Sequence, residues 1–496
     1  MLVLGMHNDA ARRPVSIPLD ENTLKHTAVI GQSGSGKSYF ISRYLEELLL
    51  RTKARVVILD PNGDFLRFDH SREDEFWTTG AFSQSLASLS SQVEDTYDNK
   101  SNFDKIWNTI PFQFITDGPT QIIETRTGVY RVPLIFHWKY LDSEQDFLLN
   151  VDPIIYPKIY QGIVTCYHYM RDYESDYPSQ GYTLRDLENA AELFATRRIA
   201  VGNYPEAYSL NDEDWLSVRL QFRQLRKKFY KLWYRGTLKG RSTDSVATDL
   251  SGYIRAGFGS GFGDADPWRV GVIGLAASTV DDMLFTANAT LYRIWKETQR
   301  AHAAAQKKEI QIISGAATEA APSSSIDLEI REEDNHFMGS EGDDLDLDPE
   351  NMEWDTEERV PTIIVIDEAQ NFAPESPTSP IQARVSDKIA MIAAEGRKYG
   401  LFLLLATQRP QKLRAGLLQE CENHCLLRIQ SKLERLYASD ALGVPKETVE
   451  RVSSFDKGEA LLTGRWVPGD SLPCSFAPAR TVLGGGDLNR TYWQNT

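Results

Sequence analysis

Long apolar runs and cysteine are what this 496-residue sequence has least of. No stretch approaches the roughly 20 apolar residues that a membrane-spanning helix needs. The first residues, MLVLGMHNDAARRPV, lack the long apolar core that follows a basic start in a signal peptide. Four cysteines in a chain of this length do not make a disulfide scaffold. We therefore expect a reduced, cytoplasmic protein of two or three domains with no membrane partner.

The net charge is −16, because Asp and Glu outnumber Lys and Arg by 70 to 54, but the excess of acid is local. Residues 326–358 carry fifteen Asp or Glu and a single Arg, which leaves the rest of the chain near neutrality. Low hydrophobicity with one sign of charge predicts a disordered insertion over 314–359. This segment is either an electrostatic decoy for a nucleic-acid site or partner tail, or simply a solvated loop. Acidity confined to it does not argue against nucleic-acid binding elsewhere.

The most informative motif is GQSGSGKS at 31–38, which lies between a short β-branched stretch and a run of apolar residues at helical spacing. Strand, glycine-rich turn and helix are the context in which this spacing forms a phosphate-binding loop. Backbone N–H groups and the positive end of the helix then converge on the phosphates. We expect Lys37 to reach the β and γ phosphates and the Ser38 hydroxyl to ligate Mg²⁺. The predicted nucleotide-binding residues are Gly31, Ser33, Gly34, Ser35, Gly36, Lys37, Ser38 and Tyr39.

A second motif completes the predicted site, since the apolar stretch 363–366 ends in Asp367 and Glu368. We expect Asp367, at the strand tip, to hold the Mg²⁺. Glu368, one residue on, is placed to polarise an attacking water, which is the division of labour that ATP hydrolysis needs. The predicted cofactors are therefore ATP and Mg²⁺.

Two further residues have alternative explanations. Gln408 follows the apolar strand 401–406 and is placed to contact the γ-phosphate, although a plain turn closed by Pro410 would give the same pattern. Arg397 lies at the end of a predicted helix, 381–398, and either complements the helix dipole or reaches the phosphates of a neighbouring subunit.

Near-continuous apolar strands alternate with helical patterns along the chain, which indicates an α/β fold with a mainly parallel sheet buried on both faces. We expect the core in three pieces, and between them a helical inserted subdomain and the acidic insertion. The boundaries are 1–80, 263–313 and 360–470 for the core, 81–262 for the helical insertion, 314–359 for the acidic insertion and 471–496 for a C-terminal tail.

Two smaller patterns are open to more than one interpretation. Residues 223–241 carry eight bases and four aromatics with no acid. This mixture suits nucleic-acid binding, but an amphipathic helix with solvated bases explains it as well. Cys421, His424 and Cys425 offer three metal ligands, yet zinc prefers four, usually as two separated pairs, and no second pair exists.

Taken together, the motifs resemble the HerA branch of the HerA/FtsK ring-translocase superfamily. The matching stretches are HTAVIGQSGSGKS (26–38), ILDPNGDF (58–65), IIVIDEAQNFAP (363–374), EGRKYGLFLLLATQRP (395–410) and, more weakly, GEALLTG (458–464). The resemblance covers about half of the chain, mostly the core. Archaeal members have a β-barrel before the phosphate loop. Only thirty residues precede it here, which is similar to the short HerA-like ATPase subunits of bacterial antiphage systems.

The resemblance implies a RecA-like P-loop core, a homo-hexameric ring and ATP-driven movement on double-stranded DNA. By motif it makes Gln408 a sensor and Arg397 a trans-acting arginine, and it places Asp60 and Asp64 near the nucleotide or the pore. It also implies a separate effector, such as a nuclease or a sirtuin-like NAD-degrading enzyme. Two other functions stay open, namely a nucleotide-gated scaffold that regulates an effector without processive movement and a peripheral secretion or conjugation ATPase.

Overall fold

The computed structural model describes residues 1–8, 13–78, 97, 99–117, 123–136, 151, 154–176, 183–199, 204–232, 254, 257–258, 268–320 and 360–484. These residues form one sheet of thirteen strands, in the spatial order β2-β1-β13-β12-β11-β3-β10-β9-β4-β8-β5-β7-β6. The strands are β1 Leu2–His7, β2 Pro14–Ile17, β3 Thr27–Ile30, β4 Arg55–Asp60, β5 Phe112–Thr116, β6 Ile123–Arg126, β7 Val129–Pro133, β8 Val270–Gly274, β9 Thr362–Ile366, β10 Leu401–Thr407, β11 Asn423–Leu426, β12 Glu459–Gly464 and β13 Leu472–Phe476.

The centre of the sheet is parallel, which confirms the predicted α/β class. Every neighbouring pair from β11 through β3, β10, β9, β4, β8 and β5 to β7 is parallel. Antiparallel strands extend this centre on both sides, with β12, β13, β1 and β2 at one end and β6 at the other. The predicted apolar strands are the central ones, because a strand covered on both faces has no polar side.

Ten α-helices lie in the described part of the chain. They are α1 Lys37–Arg51, α2 Asp74–Thr78, α3 Lys100–Trp107, α4 Pro157–Asp176, α5 Leu184–Ala195, α6 Asp212–Lys228, α7 Val280–Ala320, α8 Pro380–Glu395, α9 Lys432–Leu442 and α10 Lys446–Glu450. Alternate residues of the central strands face two cores. Val29 and Val56 lie in the cluster that includes the apolar residues of α1. Ile30 and Val57 lie in the cluster built with α7 and α8.

The described part of the segment 81–262, for which a mainly helical insertion is predicted, contains strands as well as helices. Its described part begins with α3, and then β5, β6 and β7 join the edge of the central sheet. Phe112 and Phe114 of β5 are fully buried, and Gly128, with φ 75°, makes the turn between β6 and β7. Sequence reasoning missed these strands because each has only four or five residues. Helices α4, α5 and α6 follow these strands in the insertion.

Helix α7 continues further than expected. It runs to Ala320, so the first residues of the predicted acidic insertion, 314–320, belong to its last turns. The helix is the longest in the described structure, with 41 residues. Residues 321–359, which include the whole acidic tract, lie outside the described residues.

The first part of the predicted C-terminal tail belongs to the fold. Leu472–Phe476 is β13, and the chain then crosses α1. Glu46 accepts the backbone N–H groups of Arg480 at 3.0 Å and Thr481 at 2.9 Å, and the Arg480 guanidinium pairs with Glu47 at 2.7 Å. These charged side chains are fully buried. Removing one partner of such a buried pair is strongly destabilising, because it leaves the other charge uncompensated. Residues 485–496 lie outside the described residues.

In the part of the chain that the structure describes, no helix combines the length and the apolar character that crossing a bilayer requires.

One pH prediction follows from His26, which is buried just before β3 and accepts the backbone N–H of Leu403 on Nδ1 at 2.9 Å. Burial, and then the charge of Arg397, lower the pKa of His26 from 6.5 to about 4. Between these values the unfolded chain binds the extra proton, so folding stability falls as the pH drops from 6.5 towards 4. His26→Asn should reduce the loss of unfolding free energy between pH 7 and pH 5 by roughly 2 kcal/mol. Urea titrations at both pH values check this, and an unchanged pH dependence contradicts it.

Candidate active site

The phosphate loop has the predicted strand–loop–helix geometry. It follows β3 and ends at Gly36, whose φ of 107° is the left-handed conformation that glycine adopts freely and other residues avoid. A Cβ at Gly36 would also lie 3.0 Å from the Phe476 ring. The loop begins at Gly31, whose N–H donates to the Thr407 carbonyl at 3.2 Å. The start of the loop is therefore fixed against the end of β10.

Lys37 and Ser38 occupy the first turn of α1. The Lys37 ammonium folds back across the loop and donates to the Gly31 carbonyl at 3.1 Å. The Ser38 hydroxyl donates to Asp64 Oδ2 at 2.6 Å. These contacts put an ammonium and a hydroxyl–carboxylate pair beside the same turn, as phosphate and Mg²⁺ binding would need.

The other predicted nucleotide-binding residues lie on the same loop and helix. Ser33 and Gly34 are exposed, whereas Ser35 is buried. Tyr39 is half-buried, with the Arg72 and Lys457 cations 5.4 and 5.7 Å from its ring centroid.

The loop after β4 is organised by Asp60. Its carboxylate is fully buried and accepts the backbone N–H groups of Gly63, Asp64 and Phe65 at 2.8, 3.0 and 2.8 Å. Burial nevertheless raises the pKa of Asp60 to about 6, because those bonds offset only part of the desolvation cost. The sequence predicted Asp60 and Asp64 near the nucleotide or the pore. Asp64 lies beside Ser38, whereas Asp60 shapes the loop that carries it.

Asp367 lies at the tip of β9, next to β4 and β10 in the sheet. Its Oδ1 accepts the Glu368 N–H at 2.9 Å, and its Oδ2 accepts the Asn62 amide at 3.2 Å. Burial raises the pKa of Asp367 to about 7, and the negative charges of Glu368 and Asp64 add to this rise, while the Lys37 ammonium opposes it. The Asp367 and Asp64 carboxylates and the Ser38 hydroxyl supply the hard oxygen donors that Mg²⁺ prefers, usually through one or two carboxylates.

Glu368 is held in an unusual conformation. Its φ of 49° and ψ of 48° are left-handed, a region that costs a non-glycine residue roughly 1–2 kcal/mol. Both carboxylate oxygens accept amide N–H bonds, Oε1 from Gln408 at 2.9 Å and Oε2 from Gln370 at 2.6 Å. Gln408 follows β10, which lies between the strand of the phosphate loop and the strand of the carboxylates. The predicted sensor thus contacts the predicted water-activating carboxylate.

Arg397 is the predicted residue that the fold does not bring to this site. It lies in the 3₁₀ turn Gly396–Tyr399, before β10. The active-site residues follow the other end of that strand, roughly 20 Å away for seven residues of strand. The half-exposed Arg397 guanidinium is ion-paired with Glu422. It is therefore on the opposite edge of the sheet from the phosphate loop.

The three possible metal ligands near Glu422, which are Cys421, His424 and Cys425, are part of the buried core. The two ring nitrogens of His424 contact the Thr463 hydroxyl at 3.0 Å and the Cys421 carbonyl at 2.7 Å. Cys421 and Cys425 are buried, and burial raises the pKa of both thiols. Among the described residues, no group of three or more His, Cys, Asp or Glu is arranged to hold a metal ion.

The basic stretch 223–241 is described only as far as Leu232. Its described part continues α6 and buries Leu225 and Phe229. Arg223 and Arg226 both pair with Glu188, at 3.0 Å each. Residues 223–232 therefore form the end of a helix with one buried face and the turn that follows it. Residues 233–241 lie outside the described residues.

Sequence reasoning missed three residues of the site, Asn62, Gln370 and Thr407. Each is polar and lies at or just beyond the end of a central strand, which is the signal that could have identified them, because the ends of parallel strands gather ligands.

The comparisons with known proteins agree with this geometry over the first part of the chain. A family model described as the central domain of the helicase HerA matches residues 2–112. A probable helicase of Methanocaldococcus jannaschii is 28% identical over 137 residues, which cover 26% of this chain and 24% of the relative. The DNA double-strand break repair helicase HerA of Saccharolobus solfataricus is 33% identical over 112 residues, 22% of this chain and 21% of the relative.

The matched part of the chain thus spans about a quarter of the length of these curated relatives. Among solved structures, VirB4 of Thermoanaerobacter pseudethanolicus is similar at 12% identity, covering 96% of each chain with a TM-score of 0.49. The resemblance to the HerA branch is confirmed over residues 2–112, and in that part the chain is HerA-like.

The distinct placements of Asp60 and Asp64 give a prediction. Asp60→Ala should lower the unfolding free energy by about 1–3 kcal/mol, because three backbone N–H groups lose their acceptor. Asp60→Asn, which keeps Oδ1, should lose less. Asp64→Ala should leave the unfolding free energy nearly unchanged but weaken Mg²⁺-dependent binding of a fluorescent ATP analogue. Urea titration and fluorescence anisotropy measure the two effects, and a similar stability loss for Asp60→Ala and Asp64→Ala contradicts the assignment.

Proposed function

We propose that this protein is an Mg²⁺-dependent ATPase that works as a homo-hexameric ring and moves on double-stranded DNA. The observation that carries the ATPase proposal is the meeting of five side chains at one sheet edge. Lys37 and Ser38 follow β3, Asp367 and Glu368 follow β9, and Gln408 follows β10, which lies between these strands. More than 300 residues separate β9 from the phosphate loop in the sequence. Chance therefore explains poorly why these side chains meet in the fold.

The phosphate loop positions the nucleotide in the proposed reaction. Its backbone N–H groups and the N-terminus of α1 surround the β and γ phosphates. The Lys37 ammonium, now on the Gly31 carbonyl, turns to the phosphate oxygens. Ser38 and Asp367 would hold Mg²⁺, which when bound neutralises charge on those oxygens. Asp64 would complete this site from beside Ser38.

Glu368 acts on the attacking water. The water oxygen attacks the γ-phosphorus, the bond from that phosphorus to the β–γ bridging oxygen breaks, and Glu368 accepts the proton released by the water. When ATP is bound, the Gln408 amide donates to a γ-phosphate oxygen instead of to Glu368 Oε1. Binding of ATP therefore frees Oε1 to contact the attacking water.

The ring proposal rests on the position of Arg397. A base on the far edge of the sheet is out of reach of its own nucleotide, yet it is half-exposed and available to a neighbour. In a head-to-tail ring it would replace its Glu422 partner by the phosphates of the next subunit. An arginine supplied in trans contributes roughly 10³- to 10⁵-fold in rate where it has been analysed.

The names of the matched relatives support the proposal that the ring moves on DNA. These relatives are named as helicases and as DNA double-strand break repair proteins. We propose further that the ring serves a separate effector, such as a nuclease or a sirtuin-like NAD-degrading enzyme, in antiphage defence. This last step rests on the resemblance of the motifs to short HerA-like proteins. The alternative is a scaffold in which ATP assembles and gates an effector without movement along DNA.

Two substitutions test the ATPase proposal. Lys37→Ala should abolish ATP turnover and weaken nucleotide binding, because phosphate charge is left uncompensated. Glu368→Gln should bind ATP normally but hydrolyse it about a hundredfold more slowly or worse, the scale of losing a general base. Phosphate release and equilibrium nucleotide binding provide the readouts. Wild-type turnover in Lys37→Ala, or lost binding in Glu368→Gln, would contradict these roles.

Mixed rings test the trans role of Arg397. Arg397→Ala should assemble and bind ATP but hydrolyse it poorly. Adding Glu368→Gln subunits should restore activity, because some interfaces then join an intact Glu368 to an intact Arg397. If Arg397 served its own site, no mixture would recover activity. If it only complemented a helix dipole, Arg397→Ala would lose roughly 0.3–1 kcal/mol of stability and keep near-normal turnover. An activity titration of the mixture and a melting curve of the single variant separate these results.

A further inference from the structure

We propose that Gln370 is a positioning residue that fixes one oxygen of the Glu368 carboxylate, and that the Thr407 hydroxyl fixes Gln370. This inference rests on the proposed ATPase function and concerns how its water-activating group is aimed.

Gln370 lies in the 3₁₀ turn Ala369–Asn371, directly after Glu368. Its amide nitrogen donates to Glu368 Oε2 at 2.6 Å, and its amide oxygen accepts the Thr407 hydroxyl at 2.6 Å. The Thr407 oxygen also accepts the Arg409 backbone N–H at 3.1 Å, so its own proton is directed to Gln370. A flip of the amide would turn its oxygen towards the Glu368 carboxylate, so these contacts fix its orientation.

Hydrogen bonds fix the backbone of Glu368 as well as its side chain. The Glu368 N–H donates to Asp367 Oδ1 at 2.9 Å, and the Glu368 carbonyl accepts the Asn371 N–H at 2.8 Å. The side chain of Glu368 lies between Gln370, in the turn after β9, and Gln408, directly after β10. A strained, non-glycine backbone persists only where its surroundings over-determine it.

The two glutamines contact different oxygens, which suggests different roles. Gln408 donates to Oε1 at 2.9 Å and is the group proposed to turn towards the γ-phosphate. Gln370 donates to Oε2 and is itself anchored by Thr407, so it stays when Gln408 leaves. Oε1 then becomes the oxygen that accepts the proton of the water, while Oε2 keeps the carboxylate in its plane.

Thr407 also connects this arrangement to the phosphate loop. It is fully buried at the end of β10, and its carbonyl accepts the Gly31 N–H at 3.2 Å. A single residue therefore touches the start of the phosphate loop with its backbone and the anchor of Glu368 with its side chain. Ordering of the loop by nucleotide can reach Glu368 through Thr407 and Gln370.

The test compares Gln370→Ala, Thr407→Val, Thr407→Ser and the double variant Gln370→Ala/Thr407→Val with the wild type. Gln370→Ala and Thr407→Val should each lower kcat about tenfold or more, the scale of losing a hydrogen bond to a charged group. The KM for ATP should change less than about twofold, because the lost contact is not made to the nucleotide. Thr407→Ser keeps the hydroxyl and should retain near-normal kcat. The double variant should be no slower than the slower single variant, because both changes break one chain of contacts.

Gln419→Ala is the matched control, since Gln419 is an exposed glutamine away from the site, and its kcat should stay at the wild-type value. Near-normal kcat in Gln370→Ala overturns the inference, as does a rise in KM at constant kcat or full additivity in the double variant. If Gln370→Ala does not fold, the comparison of Thr407→Val with Thr407→Ser decides, and equal kcat in these two overturns the inference. Absence of ATP turnover in the wild type overturns the proposed function instead. Slow hydrolysis in Glu368→Gln with normal hydrolysis in Gln370→Ala removes only this inference.

Discussion

The site depends on the parallel hydrogen bonding of β3, β10, β9 and β4. The register pairs Thr407 with Ile30 and Leu405 with Ile366, and it also pairs Leu59 with Ile366. These pairings bring the carboxyl ends of all four strands to one edge, where the phosphate loop, the sensor, the carboxylates and the Asp60 loop begin. A one-residue slip of any of these strands would turn its side chains to the other face and separate the groups.

Bringing these groups together costs folding free energy, and neighbouring side chains offset part of this cost. Asp367, Glu368 and Asp64 crowd their negative charges, which together with burial raises the pKa of Asp367 to about 7. Asn62 donates to Asp367, and Gln370 and Gln408 donate to Glu368. Positive charge stabilises an edge that is this rich in carboxylates, and the proposed Mg²⁺ and the Lys37 ammonium supply it. The site therefore lowers the stability of the fold at the place where the chemistry is proposed to occur.

The sequence predicts the parts of this account that depend on local pattern. The phosphate loop, the strand before Asp367 and the strand before Gln408 each follow from an apolar run and the residues that end it. Three features could not be predicted, because they depend on packing between distant segments. The strands β5 to β7 are short and join an edge, and Asp60 turned out to shape a loop. The position of Arg397 on the far edge emerges only when β10 is placed in the sheet.

The central claim is that ATP hydrolysis at this edge drives movement on duplex DNA, and the most direct test is ATP turnover measured against duplex length. The total nucleotide concentration is kept constant while the duplex is lengthened from tens to thousands of base pairs. The account predicts that DNA raises turnover several-fold, and that long duplexes raise it more than short ones because a moving ring dissociates less often at ends. Turnover that is independent of DNA at every length would contradict movement and favour the scaffold.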